Sequence, residues 1–289
     1  MEQSRKMWTI SSLLAWTIKY FQSKNIESAR LDAEVLLAHL LGQKRIYLYV
    51  HFDEPLQQEE LNKFHEYVVK RANHMPVAYI IGEKEFMGLS FKVTKDTLIP
   101  RPDTEILVEN TLSQLNKEQE LTLADIGTGS GAIILSLLAN LPKATGTAVD
   151  ISPNALAVAK ENAQNLQIAD RCDFVLGDLL APLGEQKFDV IVSNPPYIPQ
   201  KDMENLASDV KDYEPHSALT DNGDGLSFYR RLWSRAQAYL HDGGFMAVEI
   251  GIHEAEAVKQ LAKDNNWHDI KIIKDYAGID RVVMAWKQN

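Results

Sequence analysis

Leu121-Thr122-Leu123-Ala124-Asp125-Ile126, followed by Gly127-Thr128-Gly129-Ser130-Gly131, is the stretch on which the fold turns. The first six residues read as a buried strand, and Ala132 to Ala139 as an apolar helix. Three glycines in the five residues between them let the backbone turn sharply and approach a ligand closely. The run also meets a relaxed GxGxxG/A pattern through Gly127, Gly129 and Ala132. A dinucleotide site therefore stays open beside that of another nucleoside-bearing cofactor.

Working outward, Ala144 to Val149 reads as the next strand, and Asp150 ends it roughly 20 residues past the last glycine, the offset at which an acidic residue grips ribose hydroxyls. A carboxylate there can accept from both vicinal hydroxyls. Asp150 could instead share a capping role with Ser152, because Ser152-Pro153 opens a helix with serine at the N-cap and proline at the first helical position. A third strand, Cys172 to Val175, leads to Gly177-Asp178-Leu179. There a carboxylate could accept from an adenine amine while Leu179 packs on the ring, or the residues could form an ordinary strand-end turn.

The fourth strand, Phe188 to Val192, runs through Ser193 into Asn194-Pro195-Pro196-Tyr197. Two prolines cannot donate to a sheet ladder, so the strand must stop at Asn194. The result is a rigid turn at the carboxyl edge, where open α/β sheets bind ligands. It offers an amide, two carbonyls stripped of neighbouring N–H groups, and an aromatic ring. A planar amide or aminopyrimidine would suit it: the NH2 donates to the Asn194 oxygen and the Pro195 carbonyl, and the flat face lies on Tyr197. A plain proline-rich turn with a helix cap is the competing reading. No group in this turn titrates near neutrality, whereas a nicotinamide enzyme needs an acid or base beside its hydride site. That favours adenosylmethionine over a nicotinamide cofactor.

The remaining pattern is helix and strand in alternation: helices at Ile106 to Leu115, Leu226 to Tyr239 and Glu254 to Lys263, and strands at Gly244 to Ile250, Ile270 to Lys274 and Val282 to Trp286. This predicts a mainly parallel doubly wound sheet whose last two strands pair antiparallel across Tyr276-Ala277-Gly278. Residues 8 to 72 differ, with almost no glycine and no strand alternation. Leu13, Leu14, Thr17, Ile18 and Phe21 share one helical face; Ala33, Leu36, Leu37 and Leu40 share another, ended by Gly42; Leu61, Phe64, Val68 and Val69 mark a third. Glu85 to Val93 alternates like a hairpin with its turn near Gly88. The expected organisation is a helical bundle over 1–74, a connector with a β-hairpin over 75–97, and the α/β domain over 98–289.

Composition narrows the classes. At 289 residues, 45% hydrophobic and 24% charged, the balance is globular. The start, Met1 to Trp8, lacks the apolar core of a signal peptide, and no apolar run approaches the ~18 residues of a membrane span. Cys172 is the sole cysteine, read as a small strand residue rather than a nucleophile, and a reducing, cytoplasmic setting is expected. Eight scattered histidines show no ligand spacing, so no metal site is expected. A net charge of −10 argues against stable nucleic-acid binding.

With these motifs in place, the chain resembles the release factor glutamine methyltransferases, the PrmC/HemK family. Leu98-Ile99-Pro100-Arg101-Pro102-Asp103-Thr104-Glu105, Asp125 to Gly131 and Ser193 to Ile198 match its segments, and Glu214-Pro215, Asp224-Gly225-Leu226, Glu249-Ile250-Gly251 and Asp280-Arg281-Val282 recur in its C-terminal half. The resemblance implies a class I, seven-stranded, Rossmann-like methyltransferase domain behind a helical substrate-recognition domain. It also implies S-adenosylmethionine as cofactor and the Gly-Gly-Gln glutamine of peptide chain release factors as substrate. The expected cofactor set is Gly127, Thr128, Gly129, Ser130, Gly131, Asp150, Ile151, Asp178, Leu179 and Asn194. Asn194, Pro195, Pro196 and Tyr197 are expected to hold the substrate, with Asn194, Pro195 and Tyr197 catalytic. An adenine or cytosine amino-methyltransferase of nucleic acid is the alternative, because Asn-Pro-Pro-Tyr chemistry would be the same. Arg101 and Glu105, one helical turn apart, form either a wall over the cofactor or a helix-start ion pair that orients the connector; the ion pair is preferred.

Overall fold

The computed structural model describes residues 7–288, so the polar start Met1 to Lys6 lies outside the described residues. Two compact units emerge. One runs to Gly82 and takes in Ser208–Tyr213; the other holds Glu83–Ala207 and the chain from Glu214 onward.

The smaller unit is helical: α1 (Ile10–Ser23), α2 (Ala29–Leu40), α3 (Arg45–Val50), α4 (Gln58–Ala72) and α5 (Val77–Ile81). Capping boxes start two of them, Thr9 with Ser12 at α1 and Gln57 with Glu60 at α4, each satisfying backbone donors that a helix start leaves orphaned. Phe21, Ala33, Leu36, Leu37, Phe64 and Val68 join one apolar cluster. Val69, read as part of the third face, is 42% exposed, and Tyr67 takes its place against that core. Helices α3 and α5 are too short to carry a periodic signal, which is why the pattern of the sequence passes over them. Within this unit the Arg71 guanidinium bonds Asp32 at 2.7 Å, and a short helix, α9 (Ser208–Lys211), brings Asp209 to 3.9 Å from the same guanidinium.

The larger unit opens with the hairpin β1 (Glu83–Phe86) and β2 (Leu89–Lys92), turned at Met87-Gly88, both at positive φ. Helix α6 (Pro102–Ser113) follows, with proline in its first turn. Then come β3 (Thr122–Ile126), α7 (Ala132–Asn140), β4 (Thr145–Asp150), α8 (Pro153–Asn165), β5 (Cys172–Leu176), β6 (Phe188–Ser193), α10 (Ser227–Arg235), β7 (Leu240–Glu249), α11 (Ala255–Asp264), β8 (His268–Lys274) and β9 (Asp280–Trp286). The seven strands are ordered β5-β4-β3-β6-β7-β9-β8. β3, β4, β5, β6 and β7 pair in parallel, and β9 runs antiparallel to both β7 and β8. This is the doubly wound α/β sheet of a class I methyltransferase, with the antiparallel pair closing one edge.

Burial explains the pattern. β3 and β6 lie inside the sheet and carry almost unbroken apolar runs, as strands covered on both faces must. Cys172 is buried at the start of β5, and burial pushes its thiol up to about 12, which removes it from nucleophilic chemistry. Strand order reverses between β3 and β6, because β4 and β5 lie to one side and β7 to the other. A crevice opens at the carboxyl ends there. Among the described residues no helix is long and apolar enough to cross a membrane.

Candidate active site

A cavity of about 470 Å³ fills that crevice. Gly127, Thr128, Gly129 and Ser130 line it after β3, Asp150 and Ile151 after β4, Gly177, Asp178 and Leu179 after β5, and Asn194, Pro195 and Pro196 after β6. Four strand ends thus deliver residues as far apart as 127 and 196 to one wall.

The glycine loop is built from backbone. Gly127, Gly129 and Gly131 all have φ between +56° and +82°. Gly127 and Thr128 both donate their N–H to the Val149 carbonyl, at 2.8 and 2.9 Å. At Gly131, which leads into α7, an added Cβ would stand 3.0 Å from Leu135 Cδ1, so both conformation and space select glycine. Beneath the loop the Thr128 hydroxyl donates to Asp125 Oδ2 at 2.7 Å. Burial pushes Asp125 up to about 7, against the pull of that bond.

Asp150 takes the capping role that its position suggested and also holds the glycine loop. Its Oδ2 accepts from Gly129 N at 2.8 Å and its Oδ1 from Ser152 N at 2.9 Å, while Ser152 caps α8 through Ala155 N. Each carboxylate oxygen has two acceptor positions, so capacity remains on the cavity side. Ile151 is 66% exposed beside it, an apolar side chain left on the cavity wall. Asp178 is paired with Arg231, and Leu179 stands at φ +50° with its side chain against the core.

The Asn194 turn is held by side chains. Ser193 Oγ donates to the Ile126 carbonyl at 2.6 Å, tying β6 to β3 just below the turn. Asn194 Nδ2 donates to Thr104 Oγ1 at 3.3 Å. Beyond the prolines, Ile198 N donates to the Leu219 carbonyl and Gln200 N to that of Gly223. Gly225, at φ +85°, comes so close that a Cβ there would lie 2.3 Å from the Tyr197 carbonyl oxygen.

Tyr197 departs from the expectation. It is not among the residues lining the cavity; its ring packs against the core and Gly251, and its hydroxyl donates to Glu249 Oε1 at 3.2 Å. The proline pair turns the chain so that the ring points under the loop, where apolar packing and a carboxylate acceptor are both available. Burial and the neighbouring carboxylate push its phenol upward. Glu249 is itself buried at the end of β7; burial raises it to about 7, opposed by the nearby hydroxyls of Thr104 and Tyr197 and by the nearby Arg281 charge.

Relatives from Geobacter sulfurreducens and Rhodopirellula baltica, each called release factor glutamine methyltransferase, are 44% and 42% identical to this chain. The alignments cover 98% and 97% of it, and the same shares of the relatives. The chain belongs to the release factor glutamine methyltransferases. Consistently, the PrmC N-terminal domain family matches residues 12–82, and the methyltransferase small domain family matches residues 102–224. A solved methyltransferase from Pyrococcus furiosus shares the fold at a TM-score of 0.53 and 19% identity, over 70% of this chain and 90% of that one.

For residues 95–104 the reading of the sequence preferred an Arg101–Glu105 ion pair over a wall on the cavity, and the structure shows the wall. Lys95, Leu98, Pro100, Arg101 and Thr104 all line the cavity. Arg101 and Glu105 do not pair with each other. The Arg101 guanidinium bonds the buried Glu214, whose other oxygen takes Ile99 N at 3.1 Å, and Glu105 accepts from Met87 N at 2.7 Å in the hairpin turn. Position i, i+4 on a helix made the ion pair plausible, but Arg101 precedes the first turn in extended backbone and points away from Glu105's face. Glu214 and Glu249 each sit in a short motif that recurs in the family, which was their only signal.

Proposed function

We propose that this protein transfers a methyl group from S-adenosylmethionine to the side-chain amide nitrogen of the glutamine in the Gly-Gly-Gln motif of peptide chain release factors. The observation that carries the reading is the orientation of Asn194: its NH2 is committed to Thr104, so its Oδ1 is the end left to face a donor on the cavity side.

The cavity suits the cofactor. Its volume falls in the range of small-molecule sites. Asp150 has acceptor capacity for a ribose, the glycine loop allows close backbone approach, and Ile151 and Leu179 supply apolar surface for a purine, with Asp178 beside them. When bound, adenosylmethionine supplies a methyl already activated by its sulfonium.

The protein's part is positioning and polarisation. An amide nitrogen is a weak nucleophile because its lone pair is delocalised. The Asn194 Oδ1 and the Pro195 carbonyl accept the two amide hydrogens, fix the plane of the group and draw electron density toward nitrogen as it becomes positive. Pro196 stiffens the turn, and Tyr197 anchors it from beneath. The nitrogen's surplus proton leaves to water after transfer; no strong base is required. The helical unit is assigned to recognition of the release factor, a partner that places the reaction in the cytoplasm.

The test is methyl transfer from labelled adenosylmethionine to purified release factor, to the same factor with the Gly-Gly-Gln glutamine changed to alanine, and to DNA and RNA. Label on the unaltered factor alone is the expected result. Label on nucleic acid would instead establish the amino-methylating alternative.

A further inference from the structure

With Tyr197 turned away from the cavity, Phe228 is the only aromatic residue that lines it among the described residues. It stands in the first turn of α10 and is half-buried. It joins none of the apolar clusters, although Leu226, Tyr229 and Leu232 beside it all do. A large apolar side chain that lines a cavity without packing into a core is surface available to a ligand. Its placement is fixed from two sides. Asp221 Oδ1 accepts from Gly223 N and Gly225 N at 2.8 and 3.0 Å, and Oδ2 from Ser227 N and Ser227 Oγ at 3.0 and 2.6 Å, which locks the start of the helix. Arg231, three residues on and so on the same helical face as Phe228, pairs with Asp178 after β5.

We infer that Phe228 is a cofactor-binding residue: its ring supplies one face for the adenine base, at the end of the cavity lined by Ile151, Asp178 and Leu179. The inference rests on the reading that adenosylmethionine fills the cavity. The two helical layers of the fold carry the argument. Successive residues of a strand face opposite sides of its sheet. Ala148 of β4 belongs to one apolar cluster and Val149 to another, so the two clusters mark the two faces. Helix α10 packs through Tyr229, Leu232 and Trp233 into the cluster of Val149. Ile151 leads instead into α8, whose Ala163 belongs to the cluster of Ala148. The cavity therefore receives Ile151 from one layer and Phe228 from the other, an arrangement that fits a flat base between two apolar side chains. The Arg231–Asp178 pair ties this face of α10 to the β5 end, where the acidic and apolar residues suited to a purine stand. A ring also offers a purine more than an aliphatic side chain of the same area, because offset stacking adds attraction beyond burial.

The experiment is calorimetric titration of adenosylmethionine, and separately of S-adenosylhomocysteine, into the full chain and its Phe228→Ala, Phe228→Leu and Phe228→Tyr variants. Both ligands carry the adenine, and the second lacks the transferable methyl and the sulfonium charge. F228A should weaken both Kd values about 10- to 30-fold. F228L, which keeps apolar volume and loses the ring, should weaken them about 3- to 10-fold, and F228Y should stay within about twofold of the unaltered protein. The KM for the release factor and the Tm should remain near those of the unaltered protein. An unchanged Kd in F228A overturns the inference. So does an F228L variant that binds as tightly as the unaltered protein, which would reduce Phe228 to apolar filler. So does a raised KM for the release factor with both Kd values kept, which would set the ring against the substrate. Should F228A lose its fold, F228L carries the test by the same criterion. An unaltered protein that binds neither ligand would sink the proposed cofactor instead, so the two failures are distinguishable.

Discussion

The loops after β3 and β6, neighbours at the carboxyl edge that both line the cavity, are made in different ways. The loop after β3 is shaped by its own backbone: three glycines at positive φ and two N–H groups on one carbonyl, all within a few residues or on the adjacent strand. The loop after β6 is shaped by partners far along the chain, Thr104 before it and Gly225 and Glu249 after it. The first tolerates little change in itself but asks little of the rest of the molecule. The second carries rigid prolines yet is held in place by groups distant in the sequence.

The sharpest way to break this comparison is Gly225→Ala. The added Cβ would fall 2.3 Å from the Tyr197 carbonyl at a backbone conformation unfavourable to alanine, so a destabilisation of roughly 3 kcal/mol is expected, with loss of methyl transfer. Denaturant unfolding measures it; a stability within about 1 kcal/mol of the parent, the size of an ordinary mutation's effect, would show that the loop yields easily. Next comes Asn194→Ala, which leaves the turn but removes its acceptor. Turnover should drop on the order of 100-fold, with adenosylmethionine affinity changed far less. Near-normal turnover would return the turn to a plain structural role.

A third prediction concerns the support rather than the loop. Glu249 is raised from 4.5 to about 7 by burial. A carboxyl that holds its proton more tightly folded than unfolded lowers stability as pH rises from about 4.5 to 7, and the loss persists above that range. Glu249→Gln cannot ionise, so relative to the parent it should gain roughly 2 kcal/mol between pH 5 and pH 8. Parallel stability curves would mean that Glu249 keeps an ordinary pKa. The smallest effect belongs to the glycine loop's own partner. Asp150→Ala should weaken adenosylmethionine binding about 10-fold, by loss of the ribose acceptor and of the bond to Gly129 N, with kcat at saturating cofactor nearly kept. Calorimetric titration measures it, and an unchanged Kd would leave Asp150 as a cap alone.

These contrasts also explain what could be read in advance. The glycine loop, the Ser152 cap and the Asn194 strand stop were legible because each depends on local rules: glycine permits positive φ, serine caps, proline cannot pair. The doubly wound order followed from alternating strands and helices, and the antiparallel end from a three-residue turn. The short helices Arg45–Val50 and Val77–Ile81 were not legible, since six and five residues are too few for a period. Arg101 and Glu105 were misread for a related reason: sequence spacing predicts neighbours on a helix, but Arg101 sits before the helix and finds Glu214, over a hundred residues on.

Sequence alone therefore determined the chemistry available at the carboxyl edge: a close-approach loop, an acidic strand end, and an amide locked beside two prolines. It did so because backbone conformation and hydrogen-bond inventory are properties of single residues and their immediate neighbours. Only the tertiary structure decided which way the groups face. The inward turn of Tyr197, the pairing of Arg101 with Glu214, and the sense of the Asn194 amide each depend on a buried acceptor or donor delivered by another element, and burial makes those distant contacts strong enough to choose one orientation.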